Sequence, residues 1–364
     1  MRRLAIPLLA LALFLLQSQA AFACGGLIAP DGDVRLARAT TLVAWHDGIE
    51  HYLTTFTYQG TEKNVGWIVP LPAVPLSIQQ GGAWTLQRLE IESHPVTQPL
   101  FFHGAATASS AAVLERVKIE ALNITVISGS GLQVLEWARN NGFFLNAETS
   151  NHLLTYAKGS PIFMAAKFDT SSAQARGQLE GDGTPILITM RTAHIWVPLE
   201  VLALDGQEVQ ADLFLLTDTP VYTSDFNAAV GQSSVGSDLP GAPGFTLAFQ
   251  EHIGSQLYHD LSTDRNMGWV RPDSWLTYLT LDAPDSSVTY DLGVNSYGVI
   301  RLAHFGTPPM QVVDGQSSHD LPGWLPRLPL GTPQLTLVIV ALLLISGGIF
   351  MIVRHRRHVR STFA

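Results

Sequence analysis

The chain of 364 residues contains a single cysteine, Cys24, so no disulfide can close within it and the fold has no covalent staple. It is also short of charge: Asp, Glu, Lys and Arg together make up 14%, against roughly 25% in an ordinary globular chain. Bases are the scarcer sign, with 21 Lys and Arg to 30 Asp and Glu. Six of those bases (Arg2, Arg3, Arg354, Arg356, Arg357, Arg360) sit at the two ends, where there are no acids, which leaves 15 bases against 30 acids between them. An acidic body of this kind is repelled by phosphate backbones, and nucleic acid is excluded as a partner. Catalytic signatures are missing as well. There is no His-Glu-x-x-His, no Gly-rich phosphate loop and no dinucleotide fingerprint. Gly231-Gln232-Ser233-Ser234-Val235 fails as a nucleophile elbow because Val235 stands where the last glycine belongs.

What is present is apolar residues, 46% of the chain, with a mean hydropathy of +0.20. That excludes intrinsic disorder, and the length suffices for one large domain or two ordinary ones. The apolar excess gathers at the ends. Met1-Arg2-Arg3, an apolar run from Leu4 to Leu16 and small Ala21 and Ala23 around Phe22 are the parts of a secretory signal peptide, with cleavage expected after Ala23. Cys24 then opens the mature chain, either as a lipid attachment point or as a free thiol. Ala21 stands where a lipidation signal usually has Leu.

At the far end, residues 335–353 carry no charge and would span about 28 Å as a helix at ~1.5 Å per residue, the thickness of a bilayer core. Arg354, Arg356, Arg357 and Arg360 follow, which places the tail in the cytoplasm and the body outside. Leu328-Pro329-Leu330-Gly331-Thr332 is a scrambled version of a sortase motif, with Gly and Thr transposed. Pro322, Pro326, Pro329 and Pro333 make 321–334 an extended stalk.

Between the ends the pattern is mostly strand. Asp47-Gly48 marks a two-residue hairpin turn between β-rich runs, pairing His46 with Ile49 and Ala44 with His51. Val43, Trp45, Tyr52, Phe56 and Tyr58 then form the core face. Val65–Val69 reads as a strand ending in a Pro-rich edge or loop from Pro70 to Pro75. A short helix is expected over Ala83–Ile91, and an exposed loop over Gly104–Ala112. Ile119–Ile127 reads as a strand. A helix over Leu132–Asn140 follows, capped by Ser128 or Ser130, with Leu132, Leu135 and Ala138 on its apolar stripe and Gly142 past its end. A second helix over Glu148–Ala157 and a strand over Ile162–Phe168 complete a strand–helix–helix–strand unit. Further strands are expected at Ile186–Met190, Val197–Ala203, Ala211–Leu216, Trp275–Leu281 and Val288–Asp291, with a loop over Gly231–Gly244. A break between subdomains is expected, if anywhere, near 170–184.

Cys24-Gly25-Gly26, the run Gly66-Trp67-Ile68-Val69-Pro70-Leu71-Pro72 and the stretch from Ile124 to Phe168, with Leu135-Glu136-Trp137, Asn141-Gly142-Phe143 and Tyr156, together resemble the bacterial family known as domain of unknown function 2330. The resemblance spans residues 24 to 300. It implies an exported, often anchored domain and brings no reaction and no catalytic residues. Many members carry further cysteines after the first; here Leu27 and Ile28 follow instead.

Candidate chemistry is sparse. His46 and His51 lie diagonally on one hairpin face beside Asp47, and two imidazoles begin a site for zinc, copper or nickel that a third ligand would have to complete. Glu251, His252, His259, Asp260 and Asp264, with Asn266 and Asp273, form a second polar group whose spacing matches no calcium loop, and a solvated loop is expected there. Trp67, Trp137, Trp196, Trp269 and Trp275 sit in apolar contexts suited to core burial. Paired acids for glycoside hydrolysis are not identifiable among 30 acids.

The fold class expected is α+β: a β-rich extracytoplasmic body over 24–320 with a strand–helix–helix–strand insertion, plus one C-terminal transmembrane helix. The function expected is a single-pass, membrane-anchored cell-envelope protein that binds or scaffolds a wall glycan or another membrane protein. The alternative is an envelope hydrolase dependent on carboxylates or a metal.

Overall fold

The computed structural model describes residues 26–30, 34–60, 63–93, 116–175, 177, 183–203, 208–223, 236 and 238–304. Segment 1–23 with Ala23, Cys24, the stretch Gly104–Ala112, the stalk 321–334, the apolar segment 335–353 and the tail 354–364 lie outside these residues. Among the described residues no helix is long and apolar enough to cross a membrane.

The chain opens with β1 (Leu27–Ile28) and the hairpin β2 (Arg35–His46) and β3 (Ile49–Gln59). Asp47 (φ 49°) and Gly48 (φ 79°) both take the positive φ that a type I′ turn needs, and Ala44 faces His51 as expected. There follow β4 (Asn64–Leu71), β5 (Pro75–Gln80), α1 (Ala83–Ser93), β6 (Arg116–Ile119), β7 (Leu122–Ser128), α2 (Gly131–Asn140), α3 (Ala147–Gly159) and β8 (Ile162–Asp169). A short α4 (Thr170–Gln174) leads to β9 (Ile186–Arg191), β10 (Ile195–Val197), a 3-10 turn (Glu200–Ala203), β11 (Glu208–Thr217) and β12 (Tyr222–Thr223). The last part comprises β13 (Asp238–Leu239), β14 (Ala242–His252), α5 (Ser255–Ser262), β15 (Trp275–Pro284), β16 (Tyr290–Val294) and β17 (Val299–His304).

These strands form three open sheets, in the orders β13-β14-β15-β11-β2-β3-β9-β5, β1-β4-β8-β7-β6 and β10-β16-β17-β12. Alternation along each strand sorts its side chains between two layers. In the eight-stranded sheet, Val43, Tyr52, Phe56, Leu213 and Ile188 point to a central core, where they meet Trp67, Met164 and Phe168 of the five-stranded sheet and Leu292 of the third. The opposite side chains, Leu42, Leu53, Phe214 and Tyr278, pack under Leu86 and Leu89 of α1 and Leu257 and Leu261 of α5. On the far side of the five-stranded sheet, Ile68 and Phe163 pack under Val134 and Ala138 of α2 and Leu153 and Tyr156 of α3. The body is thus layered helix, sheet, sheet, helix.

The architecture is α+β and β-rich, and the strand–helix–helix–strand unit is present as β7–α2–α3–β8, with β7 and β8 paired antiparallel. Several expectations are corrected. The core face is not the hairpin's single buried face: Leu42, Ala44 and Leu53 on the other side are buried as well, because α1 and α5 cover them. Ile119–Ile127 is a hairpin that turns at Glu120 (φ 51°). Ser130 is the N-cap of α2 but its side chain makes no capping bond, and Leu132 is 64% exposed while Val134 and Ala138 are buried. Val197–Ala203 is strand only to Val197 and then a 3-10 turn, since Pro198 supplies no ladder donor. Gly231–Gly244 is not all loop, because β13 and the start of β14 fall within it. Pro70 stays in the ladder opposite Phe163. The Ile68 amide donates to Gly26, so two positions on the Pro70 nitrogen turns to the same side, past the end of β1's described cover.

Candidate functional site

The hairpin brings His46 and His51 to the same end of the eight-stranded sheet but gives them different neighbours. His46 is bracketed by carboxylates, with Nε2 2.9 Å from Asp47 Oδ2 and Nδ1 3.1 Å from Asp218 Oδ1. Arg271 Nη1 also reaches Nδ1. That nitrogen serves one partner at a time: as N–H it donates to Asp218, and bare it accepts from Arg271. His51 instead stacks flat on Trp269, with ring centroids 4.1 Å apart and planes 2° apart, and its Nδ1 lies 3.4 Å from Thr189 Oγ1. Burial, with His46 nearby, lowers the His51 pKa to about 4, so the ring is neutral at pH 7. Among the described residues no group of three His, Cys, Asp or Glu converges in a way that could hold a metal ion.

The second polar group is a loop only in part, since Asp264, Asn266 and Asp273 lie between α5 and β15. Glu251 and His252 are the last residues of β14, and His259 and Asp260 lie on α5. Asp260 accepts from Arg88 Nε at 2.9 Å, and Arg88 also pairs with Glu92 at 2.7 Å, which ties α5 to α1. Asp264 accepts from both the amide and the hydroxyl of Thr85 at 2.8 Å, and Asn266 donates to the Gln80 carbonyl at 2.9 Å. His252 meets Trp275 edge to face at 5.7 Å. These groups fasten two helices to each other and to a sheet edge.

Of the tryptophans, Trp67 and Trp196 are buried. Trp137 is half-buried against Phe143, while Trp269 and Trp275 are half-buried against the histidines just named.

Four buried acids, Glu50, Glu200, Asp212 and Asp291, carry no sequence motif. Asp212 in β11 takes Arg38 through two contacts, one of them 2.8 Å, and Tyr278 OH at 2.6 Å. Glu50 in β3 is fully buried; burial raises its pKa to about 8, partly opposed by the Thr192 hydroxyl at 3.0 Å and the Trp196 amide. Asp291 in β16 accepts from Tyr156 OH at 2.6 Å, Leu199 N at 2.9 Å and Glu200 N at 3.1 Å, all on one oxygen. Tyr156 OH in turn accepts from Val201 N at 3.0 Å. Burial raises the Asp291 pKa to about 7, and burial with Asp291 beside it raises that of Glu200 to about 8. A cavity of about 30 Å³ lies between the sheets, with Thr41, Tyr52, Thr54 and Asp212 on its polar side. It has room for one or two water molecules. One signal pointed to Asp212 and Asp291: each is a lone charge inside an apolar strand run, an arrangement that needs a partner. Nothing local marked Tyr156 or Glu200, whose partners lie 135 and 91 residues away.

No curated protein matches this chain. Solved structures similar to it include the crystal structure of baculovirus P35, at 8% identity over 75% of this chain and 93% of that one, with a TM-score of 0.35. The caspase-8/P35 complex matches at 6% identity over 74% of this chain and 91% of that one, with a TM-score of 0.30. At such scores the likeness carries nothing about activity. The family model described as "Uncharacterized protein conserved in bacteria (DUF2330)" matches residues 18–237, more than half of the chain, and the chain belongs to that family.

Proposed function

We propose that this is a single-pass protein of the bacterial cell envelope that binds or scaffolds a partner and performs no catalysis. In this reading residues 1–23 are removed after Ala23. Residues 24–320 form the body outside the cytoplasmic membrane, and 321–334 is the stalk. Residues 335–353 cross the bilayer, and 354–364 stay inside. The uncharged 335–353 followed by four arginines supports the topology.

The observation that carries the non-catalytic half is how the acids are used. Asp212, Asp264 and Asp291 each hold together elements distant in sequence, accepting from Arg38 and Tyr278, from Thr85, and from Tyr156 with two amides. The partner favoured is a wall glycan or another membrane protein.

The test is a thermal-unfolding screen of the full chain in detergent against wall glycans, zinc with and without chelator, and calcium. A ligand at ~100 times its Kd adds about 2.7 kcal/mol, which moves the midpoint of a domain this size by a few degrees. A glycan shift supports the binder. Because His46 is bracketed by Asp47 and Asp218, a zinc shift reversed by chelator and lost in His46→Ala would favour the metal-dependent alternative. Turnover of an envelope substrate by the purified chain would overturn the non-catalytic reading. Alkaline phosphatase fused after Ala364, active only outside the membrane, should stay inactive if the tail is cytoplasmic.

A further inference from the structure

The turn that follows β10 hangs on a side-chain pair, one member from β16, the strand paired with β10, and the other from α3. Three consecutive amides, those of Leu199, Glu200 and Val201, are captured by Asp291 of β16 and Tyr156 of α3. The same turn walls the inter-sheet cavity through Leu199, Val201 and Leu202. Glu200, 7% exposed, stands beside Asp291, 3% exposed, and its Oε2 has no hydrogen-bond partner among the described residues.

Charge is poorly compensated here. The groups acting on the two carboxyls are each other, Tyr156, and Tyr52 of β3, which lies within the influence of both Asp291 and Glu50. The cation on the neighbouring strand, Arg301 of β17, shares a face with Asp291 one diagonal step away, opposite Gly293. Among the described residues no ion pair reaches either carboxyl, and two carboxyls desolvated side by side in that way cannot both ionise at low cost. Asp291 has three donors aimed at it and Glu200 has none on Oε2, so Glu200 is the one that must keep its proton while the turn is seated.

We propose that Asp291, Tyr156 and Glu200 form a proton-operated latch, which holds the turn 198–203 shut over the inter-sheet cavity and frees it when Glu200 loses its proton. Release breaks the hydrogen bonds of the three amides together, because they converge on one carboxyl–phenol pair. It swings Val201 and Leu202 off the cavity and opens its polar side, Thr41, Tyr52 and Thr54, to water. The raised pKa of Glu200 places the change on the alkaline side of neutrality.

Hydrogen exchange of the full chain, read by mass spectrometry and corrected for intrinsic rates, tests this at about pH 6 and about pH 9. Protection of the peptide containing Leu199, Glu200 and Val201 is expected to fall about tenfold or more relative to the β11 peptide Glu208–Thr217, the size set by one carboxyl titrating between open and closed states. Glu200→Gln, neutral at both pH values, should remove that extra loss. The proposal is overturned if wild-type protection at 199–201 changes no more than that of β11, or if Glu200→Gln loses it as wild type does. The wild-type comparison decides the matter even if the variant does not fold.

Discussion

Asp264 caps a helix far before it in the chain, taking both the amide and the hydroxyl of Thr85, 179 residues away, at the first turn of α1. The residue preceding that helix, Gly82, has no side chain to do this, and a Cβ there would collide with the Asp264 carboxylate. The cap position is therefore left empty in the local sequence and filled from the loop after α5.

Asp264→Ala should destabilise the body by about 1–3 kcal/mol, the cost of losing a cap and leaving buried Thr85 without its acceptor. Gly82→Ser, which puts a capping residue at the local position, should destabilise as well because its Cβ meets Asp264. Urea unfolding of both variants checks this; a stabilised Gly82→Ser would contradict the geometry.

Asp212 is buried between Arg38 and Tyr278, so Asp212→Ala strands a guanidinium and a phenol at once. Removing one partner of such a pair costs about 3–5 kcal/mol, and since Arg38 is 44% exposed the lower end is expected. Arg38→Met with Asp212→Leu should recover part of the loss. Chemical denaturation of the single and double variants measures the coupling.

Glu50 sets a pH dependence. Its pKa is about 8 in the folded chain against 4.5 for an ordinary glutamate, so the folded state holds an extra proton between those values. Its contribution to stability is complete below about pH 4.5 and is lost as pH rises to about 8. Glu50→Gln should flatten the profile over that window and raise the midpoint at pH 8 relative to wild type. Thermal scans at several pH values between these limits read this directly.

His51 works in the opposite direction. With its pKa lowered to about 4 from 6.5, it favours the folded state at neutral pH, and that contribution is lost as pH falls from 6.5 toward 4. Trp269→Ala removes the ring that covers it and should bring its titration back toward 6.5, seen as a shift of the His51 imidazole resonance in NMR. An unchanged titration would mean that Trp269 does not provide the burial.

The parts of this fold legible in the sequence are those whose signals are local. Asp47-Gly48 specified a turn and, with it, the β2–β3 register from His46–Ile49 out to Arg38–Thr57, beyond which a bulge shifts it, because two positive φ values fit few other arrangements. The helix over 131–140 announced itself by its apolar spacing and by Gly142 just past its end, which takes a positive φ. β14 stayed hidden because Ala242-Pro243-Gly244 has turn chemistry, although it is the first part of an eleven-residue strand. The second buried face of the first hairpin was also invisible: Leu42 and Leu53 look like exposed strand positions until α1 and α5, from distant parts of the chain, lie over them. The polar clusters failed for the same reason, since Arg88–Asp260, Thr85–Asp264 and Tyr156–Asp291 each join residues more than a hundred positions apart.

The position of β11 has a consequence for where this fold can be cut. It is the seam of the large sheet, parallel to β2 on one side and antiparallel to β15 on the other. The stretch of this chain that matches the family model ends at residue 237, after β11 and before β14 and β15. A protein stopped there would bare the β15 side of β11 along all ten of its residues, a long apolar edge open to pairing with other chains. The smallest piece that keeps that seam closed must run on through β15, beyond the matched stretch.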